Sequence, residues 1–163
     1  MTETLPTLSM MERVLFLRKV PLFAALPPPD LEPIASIARE QAFAEGDTIA
    51  EQGETGDEMF IIVSGTVSVT SGRGDGRRVL ATRSPGDVVG EMAVITNEPR
   101  IAGLECDGPV RVLSIDRRRF ESILRERPET SLGVIRVLCQ RLTESGDHAG
   151  GADGTGTTTA STG

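Results

Sequence analysis

The chain has no tryptophan, no tyrosine and only five phenylalanines in 163 residues. A large aromatic core is therefore excluded, and the interior must be assembled from Leu, Ile, Val, Ala and Met. Histidine occurs once, at His148. A β-barrel metal centre needs several imidazole and carboxylate ligands, so no metal and no metal-dependent chemistry are expected. The same scarcity removes the basic partner that a Ser or Cys nucleophile requires, and the chain is read as a non-enzyme. Cysteine is limited to Cys106 and Cys139, both in apolar contexts. Without paired spacing they are expected to be reduced, buried thiols.

Long apolar runs are missing too. Runs such as residues 59–63 fall far short of the ~20 residues of a membrane-spanning helix. Glu3 and Glu12 interrupt any signal-like pattern at the N-terminus. A cytoplasmic location without a membrane span follows as the expectation. Excess positive charge is absent: the net charge is -7. Phosphate backbones are gripped by clustered Lys and Arg, so direct nucleic-acid binding is not expected. The local run Arg117-Arg118-Arg119 reads as a solvated helix start.

What is present is a globular composition, 38% hydrophobic and 25% charged, in a chain of single-domain length. Residues 10–20 have helical spacing, and Pro21 ends them. A second helix is predicted from Pro29-Asp30 to about Gln41, with Leu31, Ile34, Ile37 and Ala38 on one face. From residue 42 to 116 short β-rich runs are punctuated by glycine, which indicates a sandwich or barrel. Residues 59–64 read as a buried strand. Residues 66–71 alternate Val67 and Val69 against Thr66, Ser68 and Thr70. Residues 72–76 form a hairpin tip, residues 78–82 the returning strand, and residues 109–115 a further strand. Asp116 is a helix N-cap, followed by Phe120, Ile123 and Leu124 on one face. Pro128 opens the last helix, carrying Leu132, Ile135, Val137, Leu138 and Leu142, and Gly146 is expected to stop it. Residues 146–163 read as a disordered Gly/Thr-rich tail or linker. The domain division is then residues 1–11 as an N-terminal extension, 12–145 as the folded unit and 146–163 as the tail.

The chemistry sits in Pro85-Gly86-Asp87-Val88-Val89-Gly90-Glu91-Met92-Ala93-Val94-Ile95-Thr96-Asn97-Glu98-Pro99-Arg100. Gly90 allows a tight turn and close backbone approach to a ligand. Residues 91–95 can form a short helix whose first amides suit a phosphate. Arg100 can fold back over the same anion, and its guanidinium fork can pair two phosphate oxygens. Glu91 is an acceptor for a ribose hydroxyl. One cation with a few amides balances one negative charge, which suits a phosphodiester better than a triphosphate. By spacing alone, an ordinary turn with a salt-bridged Arg fits as well.

The run Gly90-Glu91-Met92-Ala93-Val94, followed by Pro99-Arg100, resembles the phosphate-binding cassette of cyclic-nucleotide-binding domains. That family includes catabolite-activator-type regulators and the regulatory subunits of cyclic-AMP-dependent kinase. Upstream, Gly53-Glu54-Thr55-Gly56-Asp57-Glu58-Met59-Phe60-Ile61-Ile62-Val63-Ser64-Gly65 is similar to the family's glycine-spaced strand pair. The resemblance implies a mainly β fold, a jelly-roll-like β-roll (a double-stranded β-helix) with N- and C-terminal helices. It implies a ligand-sensing regulatory module for a cyclic nucleotide, with ligand-binding positions at Val89, Gly90, Glu91, Met92, Ala93, Arg100, Ile101 and Ala102. In these terms Glu91 holds the ribose 2′-hydroxyl, Arg100 pairs the cyclic phosphate, and backbone amides at Gly90, Met92 and Ala93 complete the cradle. The ligand is cyclic AMP in preference to cyclic GMP, and no other cofactor is implied.

Three departures from the family pattern matter. Ile101 stands where Ser, Thr or Ala is usual, so a hydroxyl contact is lost and a stiff branched side chain replaces it. The last helix, if stopped at Gly146, is a short lid, with Thr143 and Ser145 as the residues nearest a base. No helix-turn-helix pattern follows it. A degenerate roll that keeps the fold without the ligand, serving as an interaction domain of a larger protein, therefore stays open. Leu132, Ile135, Leu138 and Leu142 form either a homodimer face or a face packed on the roll. The join at residues 126–128 is the hinge candidate.

Overall fold

The computed structural model describes residues 7–153; of these, Met92, Ala93 and residues 147–153 are described by their backbone alone. The His148 side chain and residues 154–163 therefore lie outside the described residues.

Helix α1 (Met10–Leu17) opens on Ser9, whose hydroxyl accepts from the Glu12 amide while the Glu12 carboxylate accepts from the Ser9 amide. This reciprocal pair satisfies two of the orphan donors of a helix start. The helix ends before Arg18, and Pro21–Phe23 forms a separate 3-10 turn. Leu8 already donates its amide to Glu40, so ordered contacts begin before the expected boundary at residue 12.

Helix α2 (Pro28–Ile37) starts on a proline, as its fixed φ favours. The predicted continuation to Gln41 is not observed. Ala38 is extended, and Arg39–Phe43 is strand β1, hydrogen-bonded antiparallel to β8 (Val110–Asp116). The remaining strands are β2 (Thr48–Ala50), β3 (Glu58–Ser64), β4 (Val67–Ser71), β5 (Arg78–Arg83), β6 (Val88–Val89) and β7 (Gly103–Cys106). They form two four-stranded antiparallel sheets, ordered β1-β8-β3-β6 and β2-β7-β4-β5. This is the expected β-roll with helices at both ends.

Two apolar clusters hold it together. Alternation in β3 serves both. Met59 and Ile61 face the helices, meeting Leu17, Leu31, Ile34, Phe120 and Val134. Phe60 and Ile62 face the inside of the roll with Val67, Leu104, Val110 and Val112. Phe23 and Phe120 stack at 5.5 Å between ring centroids, locking the 3-10 turn to the helix after the roll.

In β4 the expected inward valines are joined by buried hydroxyls. Ser68 bonds both carboxylate oxygens of Asp107, and Thr70 packs where Gly103 leaves no side chain.

Helix α3 (Arg117–Glu126) is capped by Asp116, whose carboxylate accepts from the Arg119 amide. Helix α4 (Pro128–Asp153) runs through Gly146 without stopping. The expected stop there is corrected, because one glycine costs a helix only ~1 kcal/mol. The expectation of a disordered tail beginning at residue 146 is revised accordingly: residues 146–153 belong to α4, and the rest of the tail lies outside the described residues. Both cysteines are free, but only Cys106 is buried. Cys139 is exposed, contrary to expectation, because its position on α4 turns it away from the roll while Val134 and Val137 turn inward.

Candidate functional site

A cavity of about 450 Å³ opens between the two sheets. Its wall includes Val89, Gly90, Glu91, Arg100, Ile101 and Ala102 from the predicted set. Met92 and Ala93 lie in the adjoining 3-10 turn, Glu91–Val94. The predicted helix over residues 91–95 is this single turn. Too few aligned peptides are present for a large macrodipole, so its contribution to an anion would come from individual amides. Gly90 precedes it at φ +70, a left-handed conformation that a side chain would strain.

The guanidinium of Arg100 lies between two glycines. A Cβ built on Gly56 would sit 2.7 Å from Arg100 Cζ, and one built on Gly90 would sit 2.7 Å from Nη1. Arg100 Nη2 donates to the Glu58 carbonyl at 2.8 Å, and Cζ stands 5.4 Å from the Phe60 ring centroid. The backbone is fixed as well: Arg100 N donates to Glu54 O at 2.7 Å and Gly53 N to Arg100 O at 2.8 Å. The two glycine-rich motifs, distant in sequence, thus meet at one side chain.

Burial pulls the Arg100 pKa below its ordinary value, while Glu54, Glu58 and Asp57 push it back up. It stays a cation, and no ion pair engages it among the described residues. Asp57 is instead taken by Arg117, at 3.4 Å, and Arg117 N donates to Asp57 O. The first residue of the basic run is therefore tied to the site loop, while Arg118 and Arg119 are exposed as expected.

Glu91 is partly buried. Its Oε1 pairs with Arg141 Nη2 of α4 at 2.9 Å; its Oε2 is buried with no hydrogen-bond partner among the described residues. An acceptor in that condition is costly unless something donates to it. Ile101 is 90% exposed. It forms part of the rim and does not plug the cavity. Thr143, expected near a base, returns its hydroxyl to Cys139 O on its own helix and is exposed, as is Ser145.

Arg83, Thr96 and Glu98 line the cavity and Arg141 braces Glu91, yet none was singled out from sequence. Arg83 had no signal of its own: it follows the expected strand 78–82, whose run Val79-Leu80-Ala81 does not alternate. Arg141 had none, since the phase of α4 against the roll is set by tertiary packing. Among the described residues no cluster of three or more His, Cys, Asp or Glu is arranged to hold a metal ion. No helix among them is long and apolar enough to cross a membrane.

Fold and cleft together define a ligand-binding β-roll module. The chain belongs to the cyclic nucleotide-binding domain family, which matches residues 40–127. It is 31% identical over 133 residues to a CRP-like cAMP-activated global transcriptional regulator of Mycobacterium tuberculosis, covering 81% of this chain. The match spans 59% of that regulator's length. The N-terminal domain of a transcriptional regulator from Streptomyces coelicolor superposes with a TM-score of 0.76 at 28% identity, over 82% of this chain and 94% of that one. The regulatory domain of Toxoplasma gondii PKA, solved with cAMP, gives 0.65 at 26% identity, over 83% of this chain and 50% of that one.

Proposed function

We propose that this chain is a cytoplasmic, non-enzymatic sensor that binds a cyclic nucleotide through Val89, Gly90, Glu91, Met92, Ala93, Arg100, Ile101 and Ala102. The observation that carries the reading is Arg100: a half-buried guanidinium framed by Gly56 and Gly90, facing a cavity, without a carboxylate partner among the described residues. A cyclic phosphodiester supplies the single negative charge that this cation lacks. The free Oε2 of Glu91 accepts from the ribose 2′-hydroxyl. Cyclic AMP is the first ligand to test, since the Mycobacterium relative is cAMP-activated, the Toxoplasma domain was solved with cAMP, and Ile101 offers no hydroxyl beside the phosphate.

The test is isothermal titration with cyclic AMP and cyclic GMP, beside Arg100→Ala. Loss of a hydrogen-bonded charge partner costs about 1.5–3 kcal/mol, so the variant should bind roughly ten- to hundredfold more weakly. A wild-type chain that gives no heat at millimolar ligand, and no rise in melting temperature, would leave the degenerate roll as the answer. The rim position of Ile101 weighs against that second reading, because the cavity mouth is left open.

The output of the sensor is proposed to run through α4. Its inner face, with Val134, Val137 and Arg141, meets the roll. Its outer face carries Leu132, Ile135 and Leu142, all at least half exposed. With Cys139 these positions follow the three-and-four spacing of a two-helix seam, and a second copy of the chain is the partner proposed for it.

A further inference from the structure

We propose that the outer face of the β2-β7-β4-β5 sheet carries a separate site for a small zwitterion of the free α-amino-acid class.

The two faces of this sheet differ. Val69 stands opposite Leu104 in the β4–β7 ladder, and both line the cavity that Arg100 also lines. The next pair, Thr70 and Gly103, projects to the other face. There a cavity of about 280 Å³ opens between β2, β7 and the β4–β5 hairpin. Thr70, only 5% exposed, lies at its floor. Gly103 leaves it room, since a Cβ built there would sit 2.7 Å from Thr70 Oγ1. That hydroxyl has no partner among the described residues, whereas buried hydroxyls as a rule are hydrogen-bonded. Ser68, the neighbouring buried hydroxyl of β4, has both oxygens of Asp107.

The rim carries charge of both signs. Arg77 and Glu105 are paired with each other. Glu51, just after β2, and Arg73, at the hairpin tip, have no side-chain partner among the described residues. Their two loops are tied by Gln52, whose Oε1 accepts from the Gly72 amide at 2.9 Å. That bond uses the acceptor of the Gln52 amide and leaves its N–H donors. The cavity thus offers one free cation, one free anion, a buried hydroxyl and an amide donor. A free amino acid matches this set. Its carboxylate takes the Arg73 fork, its ammonium takes Glu51, and a short polar side chain reaches Thr70. The volume lies at the small end of ligand sites. A nucleotide matches badly. Among the described residues Ala50 is the one apolar side chain in the lining, so a base has no platform, and a phosphate would meet Glu51 and Glu105.

The test is an NMR titration of the full chain with L-serine and L-glutamine, each beside its N-acetyl derivative and its methyl ester, which lack the ammonium and the carboxylate in turn. Both amino acids should shift the resonances of Thr70, Gln52 and Gly72 saturably, with or without cyclic AMP present. Each blocked compound should bind about tenfold or more weakly, as for loss of one charged hydrogen bond; this arm needs no variant. Thr70→Val should weaken the amino acids about tenfold without lowering Tm, because the hydroxyl it removes has no partner in the fold, and Thr70→Ser should restore binding. No response to either amino acid would overturn the proposal. Equal binding of the N-acetyl derivatives would reduce the cavity to an anion site and overturn it as well. Displacement by cyclic AMP would move the amino acid to the first cavity, and a second equivalent of cyclic AMP lost in Arg73→Gln would make this one a nucleotide site; either result overturns it. The amino-acid arms read the same whether or not the chain binds a cyclic nucleotide, so this inference and the function proposed above fail separately.

Discussion

Arg141 on the last helix and Glu91 at the turn after Gly90 are held together at 2.9 Å, Nη2 to Oε1. The pair leaves the second carboxylate oxygen buried and without a partner among the described residues. Arg141→Gln should release Glu91 to rotate toward water. Because the Arg141 side chain is about a third exposed, the pair is worth at most ~1 kcal/mol. The expected result is a Kd weakened about two- to fivefold, the equivalent of that energy, with little change in Tm. An unchanged Kd in calorimetry would show that Glu91 needs no brace.

Gly56 offers a way to move Arg100 without deleting it. The methyl of Gly56→Ala would collide with the guanidinium. Since the obstructed atoms are the far end of a flexible side chain, the arginine should swing aside and the fold persist. Cyclic-nucleotide affinity should drop about tenfold, as for loss of a charged hydrogen bond, while thermal unfolding stays within a few degrees of wild type. Wild-type affinity in this variant would mean that the guanidinium can bind from elsewhere.

The two thiols should behave differently. Burial raises the Cys106 pKa, with Asp47 and Asp107 adding to the effect. A raised folded-state pKa keeps the thiol protonated beyond the pH at which an unfolded cysteine ionises. Its contribution to stability is therefore complete below the ordinary thiol pKa and is lost as pH rises through the higher folded value. At pH 8 a thiol reagent should label one cysteine rapidly, and Cys139→Ser should abolish that fast phase. Two fast equivalents in the native protein would contradict the burial of Cys106.

If a second copy covers the outer face of α4, Cys139 of each chain lies at the seam. Mild copper-phenanthroline oxidation should then give a disulfide-linked dimer. Ile135→Glu should shift sedimentation to the monomer and suppress the cross-link, because it places like charges opposite each other in an apolar seam. A wild-type chain that sediments as a monomer at all concentrations, with or without cyclic AMP, would exclude this pairing.

Much of the site was legible because its chemistry is local. Gly90, Glu91 and Arg100 lie within one short segment, and their spacing allows the turn and the fold-back without requiring them. The upstream glycine motif was legible as a pattern, but its reason was not. Gly56 is small because a guanidinium from another loop occupies the space, and no single-segment argument contains that fact. Arg39 to Gln41 misled for a related reason. As part of an edge strand, β1 carries polar residues that lack the alternation of a half-buried strand, and their pairing with β8 is wholly non-local. Cys139 has apolar neighbours in sequence, but only the phase of α4 on the roll decides which of them face water. Arg141 escaped notice on the same ground.

The carboxylates of Glu54, Asp57 and Glu58 around Arg100 have a bearing on how a signal would end. A cyclic diester brings one negative charge into that acidic ring. Cutting the ring yields a monoester whose second ionisation, near pH 6, gives it close to two charges at neutrality. The linear 5′-monophosphate should accordingly compete poorly for the site in the same titrations. A phosphodiesterase acting anywhere in the compartment would then silence the protein without touching it, since the hydrolysis product is repelled by the very residues that tolerated its parent.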